Sequence, residues 1–158
     1  MLNLQQYQKL SILIKVIRKA ILNDEWLPIL IYGEKGKGKS TLALWIAYHI
    51  YGNWDTVLKY IVFTPLQFLE KIIECSNEFE DEYGRCPLII WDDIGAYTVY
   101  DPKTYFSEEF TQLKKTWETI RSELAVLIGT AATPDHIAKF IRVDWKYGIH
   151  TVSYTHLR

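Results

Sequence analysis

The sequence predicts an α/β fold, with three layers in which helices cover both faces of a five-stranded parallel sheet. Short apolar runs alternate with segments of helical periodicity along the chain, and this alternation is typical of a parallel sheet between two helical layers. A glycine-rich turn joins the first apolar run to the next helix. Two adjacent aspartates, Asp92 and Asp93, follow the third run. In such a fold, these features meet at the carboxyl edge of the sheet.

Length and composition favour one globular domain across residues 1–158, with an N-terminal helix in 1–24 and a core in 27–154. The chain is 49% hydrophobic and 23% charged, which is ordinary globular usage. Its formal net charge of -1 gives no overall basic excess that would favour nucleic-acid binding. No apolar run approaches the roughly 18 residues of a membrane span. We therefore expect a cytoplasmic protein that does not act at a membrane.

The first half of the chain is predicted to contain two strands and three helices. The first helix has an apolar face in which residues recur every three or four positions, namely Tyr7, Leu10, Ile14, Ile17 and Ile21. The predicted elements are a helix over about 4–22, a strand over 27–33, a helix from about 39 to Gly52, a strand over 58–64, and a helix that opens at Pro65.

The second half is predicted to contain three further strands and two helices. Residues 76–87 are polar and acidic, which favours a solvated connection. A strand is expected at 88–93, a loop at 94–106, a helix at 107–122 with Ser107 as its cap, a strand at 124–130, a short helix at 134–142 and a last strand at 147–154.

The two cysteines, Cys75 and Cys86, are too few for a disulfide framework. They also lack the spacing and the nearby histidines of a zinc site. We expect reduced thiols in an intracellular protein.

The glycine-rich turn, "GEKGKGKS" at residues 33–40, matches the phosphate-loop pattern at Gly33, Gly38, Lys39 and Ser40. Glycines allow the backbone to curl and to direct its N–H groups at phosphate oxygens. Lys39 can reach the β- and γ-phosphates, and the Ser40 hydroxyl can ligate Mg²⁺. The pattern thus predicts an ATP–Mg²⁺ site, the alternative being a lysine-rich turn without function. The residues expected at the nucleotide are Gly33, Glu34, Lys35, Gly36, Lys37, Gly38, Lys39, Ser40 and Thr41.

The acid pair supplies what hydrolysis needs besides phosphate binding, which is a metal and a polarised water. We expect Asp92 to hold Mg²⁺, through a metal-bound water, and Asp93 to orient and deprotonate the attacking water. In the alternative interpretation, Asp93 is a cap or turn residue before Gly95.

These segments together resemble the P-loop ATPases of the AAA+ type, and most of all the branch that contains bacterial helicase loaders and transposition helper ATPases. The resemblance rests on "GEKGKGKS", "VFTPLQFLEKI", "LIIWDDIGA" and "LAVLIGTAATPDHIAKFIR", and it covers about residues 27–154. It implies the strand order 5-1-4-3-2. The helical lid of full AAA+ proteins has no room after the last predicted strand.

The resemblance also implies two further catalytic residues. Thr130 lies near the position of a polar sensor at the end of the fourth strand, although one alignment puts Ala131 there and a plain strand-end role is the alternative. Arg142 occupies the position of an arginine that reaches a neighbouring subunit's nucleotide. That role implies a homo-oligomer when active, whereas the alternative is a surface or salt-bridged arginine.

Three functions fit these features. The first is an Mg²⁺-dependent ATPase that drives a conformational or assembly step on or near nucleic acid, in DNA replication, transposition or mobile-element maintenance. DNA or a DNA-bound protein complex is then the partner. Its contact surface could be a basic and aromatic strip, otherwise a plain charged helix face, formed by Lys114, Lys115, Arg121, Tyr97, Tyr100 and Tyr105. The alternatives are a nucleotide-gated binding module with little hydrolysis and a small-molecule or nucleoside kinase.

Overall fold

The computed structural model describes residues 4–98 and 107–152. Within these ranges the helices are α1 Leu4–Leu22, α2 Lys39–Tyr51, α3 Trp54–Lys59, α4 Pro65–Glu78, α5 Glu80–Tyr83, α6 Gly95–Thr98, α7 Glu108–Glu118 and α8 Lys139–Arg142, with short 3-10 turns at Ile120–Ser122 and Pro134–His136. The strands are β1 Leu27–Tyr32, β2 Ile61–Val62, β3 Cys86–Trp91, β4 Leu124–Ala131 and β5 Tyr147–His150.

The five strands form one parallel sheet in the order β2-β3-β4-β1-β5. From the other edge this is the predicted order 5-1-4-3-2, so the fold class and the topology are confirmed. Ile31 of β1 pairs with Thr130 of β4, and Trp91 of β3 pairs with Gly129 of β4. This register places the ends of β1, β4 and β3 side by side at one edge of the sheet.

Helices cover both faces of the sheet, so β3 and β4 are buried along their whole length and consist of apolar residues apart from Thr130 near the end of β4. On one face α1 and α2 cover a cluster that includes Ile17, Ile29, Ile46, Ala47 and Val126. On the other face α4, α7 and α8 cover a cluster that includes Phe68, Trp91, Leu113, Trp117 and Ile141. The predicted three-layer arrangement is therefore observed.

The first helix has the predicted bounds, and its predicted apolar face is buried except for Tyr7, which is 58% exposed. The second strand is shorter than expected. Residues 58 and 59 belong to α3, which starts because the Asn53 side chain caps it by accepting a hydrogen bond of 2.8 Å from the Thr56 N–H. The cap outweighs the β-branched and aromatic composition of this segment. Among the described helices, none is long and apolar enough to span a membrane.

The predicted connection at 76–87 is largely exposed over residues 77–84, as expected, but much of it is helical. Helix α4 continues to Glu78, α5 follows, and Gly84 ends α5 with a positive φ of 74°. Part of the expected loop at 94–106 is helix α6, and residues 99–106 lie outside the described part. The helix predicted at 134–142 consists of a 3-10 turn and α8, and β5 ends at His150.

The expectation of reduced thiols was also wrong, because Cys75 and Cys86 form a disulfide with Cα atoms 4.9 Å apart. Helix α4 packs back along β3, so its last turns lie beside the first residue of that strand. Both cysteines are fully buried. The bond ties α4 to the amino end of the sheet.

Candidate functional site

The turn between β1 and α2 forms an open loop of left-handed glycines. Gly36 and Gly38 both have φ of 78°, and Gly33 has φ of 148°. A Cβ on Gly33 would lie 2.4 Å from the carbonyl oxygen of Thr151, so this glycine lets the chain after β5 approach the loop. Gly38 precedes α2 and has no side chain to cap it. The first-turn N–H groups of α2 therefore suit an anion.

The Lys39 side chain folds back across the loop. Its ammonium donates hydrogen bonds of 2.8 Å to the carbonyl oxygens of Gly33 and of Glu34. Lys35 is exposed, whereas Lys37 is half-buried and lies 3.9 Å from the exposed carboxylate of Glu34. The predicted loop residues thus surround one concave turn, with Lys39 beneath it, while Ser40 and Thr41 begin the helix.

Asp92 joins the loop to the end of β3. Its Oδ1 accepts a 2.7 Å hydrogen bond from the Ser40 hydroxyl and another of 2.7 Å from the Thr130 hydroxyl. Its N–H donates to the Val62 carbonyl at 2.9 Å, which continues the β3–β2 pairing. The structure therefore brings together three of the predicted site residues, one from each of three elements.

Asp93 turns away from the sheet immediately after Asp92. It is exposed and has a positive φ of 53°, which is uncommon for a residue other than glycine. Its N–H donates to the Thr130 hydroxyl at 2.8 Å, and its carbonyl accepts from the Ala96 N–H at 3.0 Å. The backbone of Asp93 is fixed, while its carboxylate faces solvent. The carboxylate can therefore form a hydrogen bond with a water molecule at the loop.

The Ser40 and Asp92 oxygens fit Mg²⁺. Within the described residues no group of three or more His, Cys, Asp or Glu side chains could hold a metal. Mg²⁺, however, keeps several waters and commonly uses one or two protein oxygens together with substrate phosphates. Ser40 and Asp92 are hard oxygen donors in mutual contact at the loop. This sparse donor set is the kind that Mg²⁺ uses beside a phosphate chain.

Arg142 lies at the end of α8, apart from the hydrogen bonds that join Ser40, Asp92 and Thr130. Its guanidinium is 3.8 Å from the Asp135 carboxylate, with the two side chains 38% and 87% exposed. Such an exposed, long ion pair is weak. Arg142 is therefore available to a partner at little cost.

A cleft of about 680 Å³ adjoins the loop, between α1 and β5. Its wall includes Lys9 and Leu13 of α1, Lys37 and Gly38 of the loop, and His150 at the end of β5. The sequence interpretation did not assign residues of α1 or β5 to the site. The implied strand order was the available signal, because it places β5 beside β1 and its carboxyl end beside the loop.

The proposed basic and aromatic strip is not assembled by its described members. Lys114 lies 5.8 Å from the centroid of the Phe140 ring. Arg121 donates to the Asp24 carbonyl, at the opposite edge of the sheet from the loop. Tyr100, Tyr105 and the side chain of Tyr97 lie outside the described part.

Comparison with known proteins yields two viral relatives. No protein-family model matches the chain. The chain is 40% identical over 68 residues to the uncharacterized protein ORF286 of Acidianus two-tailed virus, which covers 43% of this chain and 22% of that protein. It is 26% identical over 126 residues to the uncharacterized protein B-251 of Sulfolobus spindle-shape virus 1. This match covers 74% of this chain and 48% of B-251. The chain thus spans about half or less of these relatives.

Solved structures define the fold. The chain superposes on a DNA polymerase III gamma subunit-related protein from Thermotoga maritima with a TM-score of 0.59 and 14% identity, over 92% of this chain and 46% of that one. It superposes on a RuvB mutant from the same organism with a TM-score of 0.58 and 17% identity, over 98% of this chain and 48% of RuvB. For the FIGL-1 AAA domain in complex with ADP, the TM-score is 0.52 and the identity 12%, over 87% of this chain and 51% of that domain. The fold is therefore that of an AAA+ P-loop ATPase core, which confirms the resemblance at the level of the fold.

Proposed function

We propose that this chain binds ATP with Mg²⁺ and hydrolyses it, and that hydrolysis drives a conformational or assembly step. The observation that carries the proposal is the 2.7 Å contact between Ser40 and Asp92. It joins the start of the helix after the phosphate loop to the carboxylate at the end of β3. A glycine turn alone would bind an anion, whereas a turn joined to a carboxylate suits an anion that arrives with a cation.

Nucleotide binding uses the loop and the adjoining cleft. The triphosphate lies along the loop N–H groups, and the Lys39 ammonium exchanges its carbonyl partners for phosphate oxygens, which form stronger charge-assisted hydrogen bonds. The cleft between α1 and β5 receives the nucleoside. The FIGL-1 AAA domain, which has the same fold, was solved with ADP.

Hydrolysis depends on the two acids. Ser40 and Asp92 would hold Mg²⁺, which neutralises charge on the β- and γ-phosphates when bound. Asp93 orients the attacking water and accepts its proton, and its exposed carboxylate on a fixed backbone suits this role. The two acids therefore differ in function because Thr130 and Ser40 hold one of them while the other faces solvent.

DNA or a DNA-bound protein complex is the proposed partner class, in replication, transposition or mobile-element maintenance. Among proteins of the same fold, one is related to a DNA polymerase III subunit. We place Arg142 at a subunit interface, where it would leave Asp135 and stabilise the nucleotide of the neighbour. The active form is then a homo-oligomer.

Lys39→Ala tests nucleotide binding, with Lys35→Ala as the matched control in the same loop. Lys35 is exposed, whereas Lys39 spans the loop. By titration calorimetry with ATP and Mg²⁺, we expect Lys39→Ala to weaken binding by about 100-fold or more, because a buried charge contact is lost. Lys35→Ala stays within about threefold of the parent, as exposed charge contacts contribute little. Equal and negligible heats for the parent and Lys39→Ala would refute the proposal.

Asp93→Asn tests hydrolysis. We expect turnover to fall by about 100-fold or more, since general-base catalysis contributes about that much, while ATP affinity is retained. Turnover without any acceptor substrate also excludes a kinase. If the parent shows no turnover even when concentrated with DNA, the chain is a nucleotide-gated binding module.

Complementation tests the proposed role of Arg142. Arg142→Ala and Lys39→Ala should each be inactive alone, because a trans arginine contributes about 10³-fold or more in rate. A mixture of the two variants regains activity, since a Lys39→Ala subunit supplies Arg142 to a neighbour that still binds ATP. Failure of every mixing ratio to restore turnover would place Arg142 outside the site.

A further inference from the structure

The Thr130 hydroxyl connects the two acids. Oγ1 accepts the Asp93 N–H at 2.8 Å and lies 2.7 Å from Asp92 Oδ1. A hydroxyl has a single hydrogen. Because Oγ1 accepts from Asp93 and faces an acceptor in Asp92, its hydrogen is donated to Asp92. The hydroxyl is therefore not available to donate to a phosphate, as a sensor of the γ-phosphate would.

The main chain of Thr130 adds a third bond to the same turn. Its carbonyl accepts the Ile94 N–H at 2.9 Å. Three consecutive residues after β3 are thus attached to one residue of β4, two through the Thr130 hydroxyl and one through its carbonyl, and Thr130 is 2% exposed. The attachment is rigid because Thr130 is paired in register with Ile31 in the middle of the sheet.

This attachment bears on the backbone of Asp93. A left-handed φ of 53° is unfavourable for a residue with a Cβ. The hydrogen bonds to the N–H groups of Asp93 and Ile94 offset this cost. They also orient Asp93 so that its carboxylate is exposed while the Asp92 carboxylate stays on Ser40.

We propose that Thr130 is a positioning residue that acts through Asp92 and Asp93 and does not contact the nucleotide. It holds the Asp92 oxygen on Ser40, where Mg²⁺ is to bind, and it fixes the turn that presents Asp93 to water. The inference rests on the proposed function for its catalytic consequence. The hydrogen-bond network itself exists without nucleotide and can be tested without it.

The nucleotide-free test is amide hydrogen exchange at Asp93 and Ile94, followed by NMR. Thr130→Val removes the hydroxyl at nearly constant volume, and Thr130→Ser keeps it. We expect the Asp93 amide to exchange at least about tenfold faster in Thr130→Val, because local opening there loses a buried bond. Thr130→Ser stays within about threefold of the parent, as does the exposed control Thr111→Val. Should Thr130→Val fail to fold, Thr130→Ala removes the same hydroxyl without placing a methyl against Asp92.

The nucleotide test separates positioning from sensing. In Thr130→Val, the Mg²⁺ concentration for half-maximal turnover should rise about tenfold, and kcat should fall about tenfold, as is usual when a partner of a metal ligand is removed. Binding of metal-free ATP stays unchanged, and so does the ratio of ATP to ADP affinity. Thr130→Ser restores both quantities.

Two results would overturn the inference. Unchanged amide exchange in Thr130→Val would show that the hydroxyl does not hold the turn. A lost preference for ATP over ADP at unchanged Mg²⁺ dependence would make Thr130 a sensor. If the parent binds no nucleotide, the proposed function fails, whereas the exchange experiment still decides whether Thr130 positions the acids.

Discussion

The two edges of the sheet each contain an aspartate with a left-handed backbone, and they use it differently. Asp24, with φ of 56°, lies between α1 and β1 at the amino edge, and Asp93, with φ of 53°, follows β3 at the carboxyl edge. The Asp24 carbonyl accepts from Arg121, and its carboxylate lies 3.5 Å from Arg85. Among the described residues, Asp93 is held by the neutral hydroxyl of Thr130 and by its own turn.

The amino edge is built around the buried guanidinium of Arg85, which is 2% exposed. It donates to four backbone carbonyls, those of Ala20, Glu25, Arg121 and Leu124. Burial lowers the pKa of Arg85, and the nearby Asp24 carboxylate opposes that shift. These carbonyls lie in the last turn of α1, in the segment before β1, in the 3-10 turn before β4 and at the start of β4, so one side chain that itself precedes β3 joins these parts of the chain.

The comparison separates an edge built for stability from the edge that contains the proposed site. At the amino edge, charge is buried and its hydrogen bonds are satisfied, and the disulfide lies at the same edge. At the carboxyl edge, Lys39, Asp93 and the loop N–H groups remain partly or fully exposed to solvent. Ligand sites need such available groups, and the opposite edge can supply the stability that they do not.

The largest effect on stability is expected from Arg85→Met. The change removes the guanidinium hydrogen bonds to four carbonyls and the ion pair with Asp24, and removing one member of a buried charged network costs about 3–5 kcal/mol. At about 2–4 °C per kcal/mol for a chain of this size, Tm should fall by about 6–20 °C. Thermal and urea unfolding measure both quantities.

Arg121→Met is the matched control for this prediction, because Arg121 is exposed and, within the described ranges, its side chain donates to a single carbonyl, that of Asp24. The free energy of unfolding of Arg121→Met should be less than about 1 kcal/mol below that of the parent. Folded Arg85→Met should bind ATP with the parent's affinity. A destabilisation of Arg85→Met no greater than that of Arg121→Met would contradict the division between the two edges.

The second-largest effect on stability is expected from the disulfide, which joins residues 11 apart in sequence. Replacing both Cys75 and Cys86 by alanine should lower the free energy of unfolding by about 3 kcal/mol, by the chain-entropy account of such a loop. A reducing agent should destabilise the parent by a similar amount and leave the double variant unaffected. Nucleotide affinity should not change in either case. If reduction alters ATP affinity in the folded protein, the two edges are coupled.

Local patterns were sufficient to predict much of this molecule. The bounds of α1, the end of α2 at Gly52, the Ser107 cap and the loop glycines follow from short-range rules. The strand order came from the resemblance. Asp92 and Ser40 were predicted to converge because the ends of parallel strands share an edge, and the structure places them in contact.

Features that depend on distant packing were not predicted. The Arg85 network needs four carbonyls from separate segments, and the disulfide needs α4 to fold back along β3. The cleft beside β5 depends on the strand order and not on any local motif. The direction of the Thr130 hydrogen bond depends on the position of Asp92, 38 residues away. The roles of Asp93 and Arg142 stay predictions.

The third prediction exchanges each left-handed aspartate for glycine, which adopts this φ freely. Asp24→Gly and Asp93→Gly should each change the free energy of unfolding by less than about 1 kcal/mol, as relief of the backbone offsets the lost contacts. Only Asp93→Gly should abolish ATP turnover. Denaturant unfolding and a phosphate-release assay compare the pair. Equal turnover in the two variants would remove the functional distinction between the edges.

The smallest effect concerns pH and a charged cluster at the amino edge, before β2. Glu78 accepts hydrogen bonds from Lys59, at 2.6 Å, and from Tyr60. The Lys59 ammonium, and then the Tyr60 hydroxyl, hold the pKa of Glu78 below its ordinary value of 4.5. The hydrogen bond to Glu78 raises the pKa of Lys59 above its ordinary value of 10.5, and burial first, then Glu78, raises the pKa of Tyr60 to about 12.

These pKa directions determine the pH range in which the cluster stabilises the folded state. A carboxyl group with a lowered pKa stabilises the folded state above its unfolded pKa, and the contribution disappears as pH falls through the folded value. Lys59 and Tyr60 contribute below their unfolded pKa values and lose the contribution at higher pH. The cluster should therefore stabilise the protein most between about pH 5 and 10. Because the Lys59 and Glu78 side chains are partly exposed, the contribution of their ion pair stays below about 1 kcal/mol.

Glu78→Gln isolates this contribution. The difference in unfolding free energy between the parent and Glu78→Gln should be constant from about pH 5 to 7 and should shrink below about pH 4.5, where the parent's carboxylate becomes protonated. Glu70→Gln, on the exposed side of α4, is the control and should give no such pH-dependent difference. A difference in unfolding free energy that grows as pH falls would mean that the Glu78 carboxylate opposes folding. This cluster would then not stabilise the amino edge.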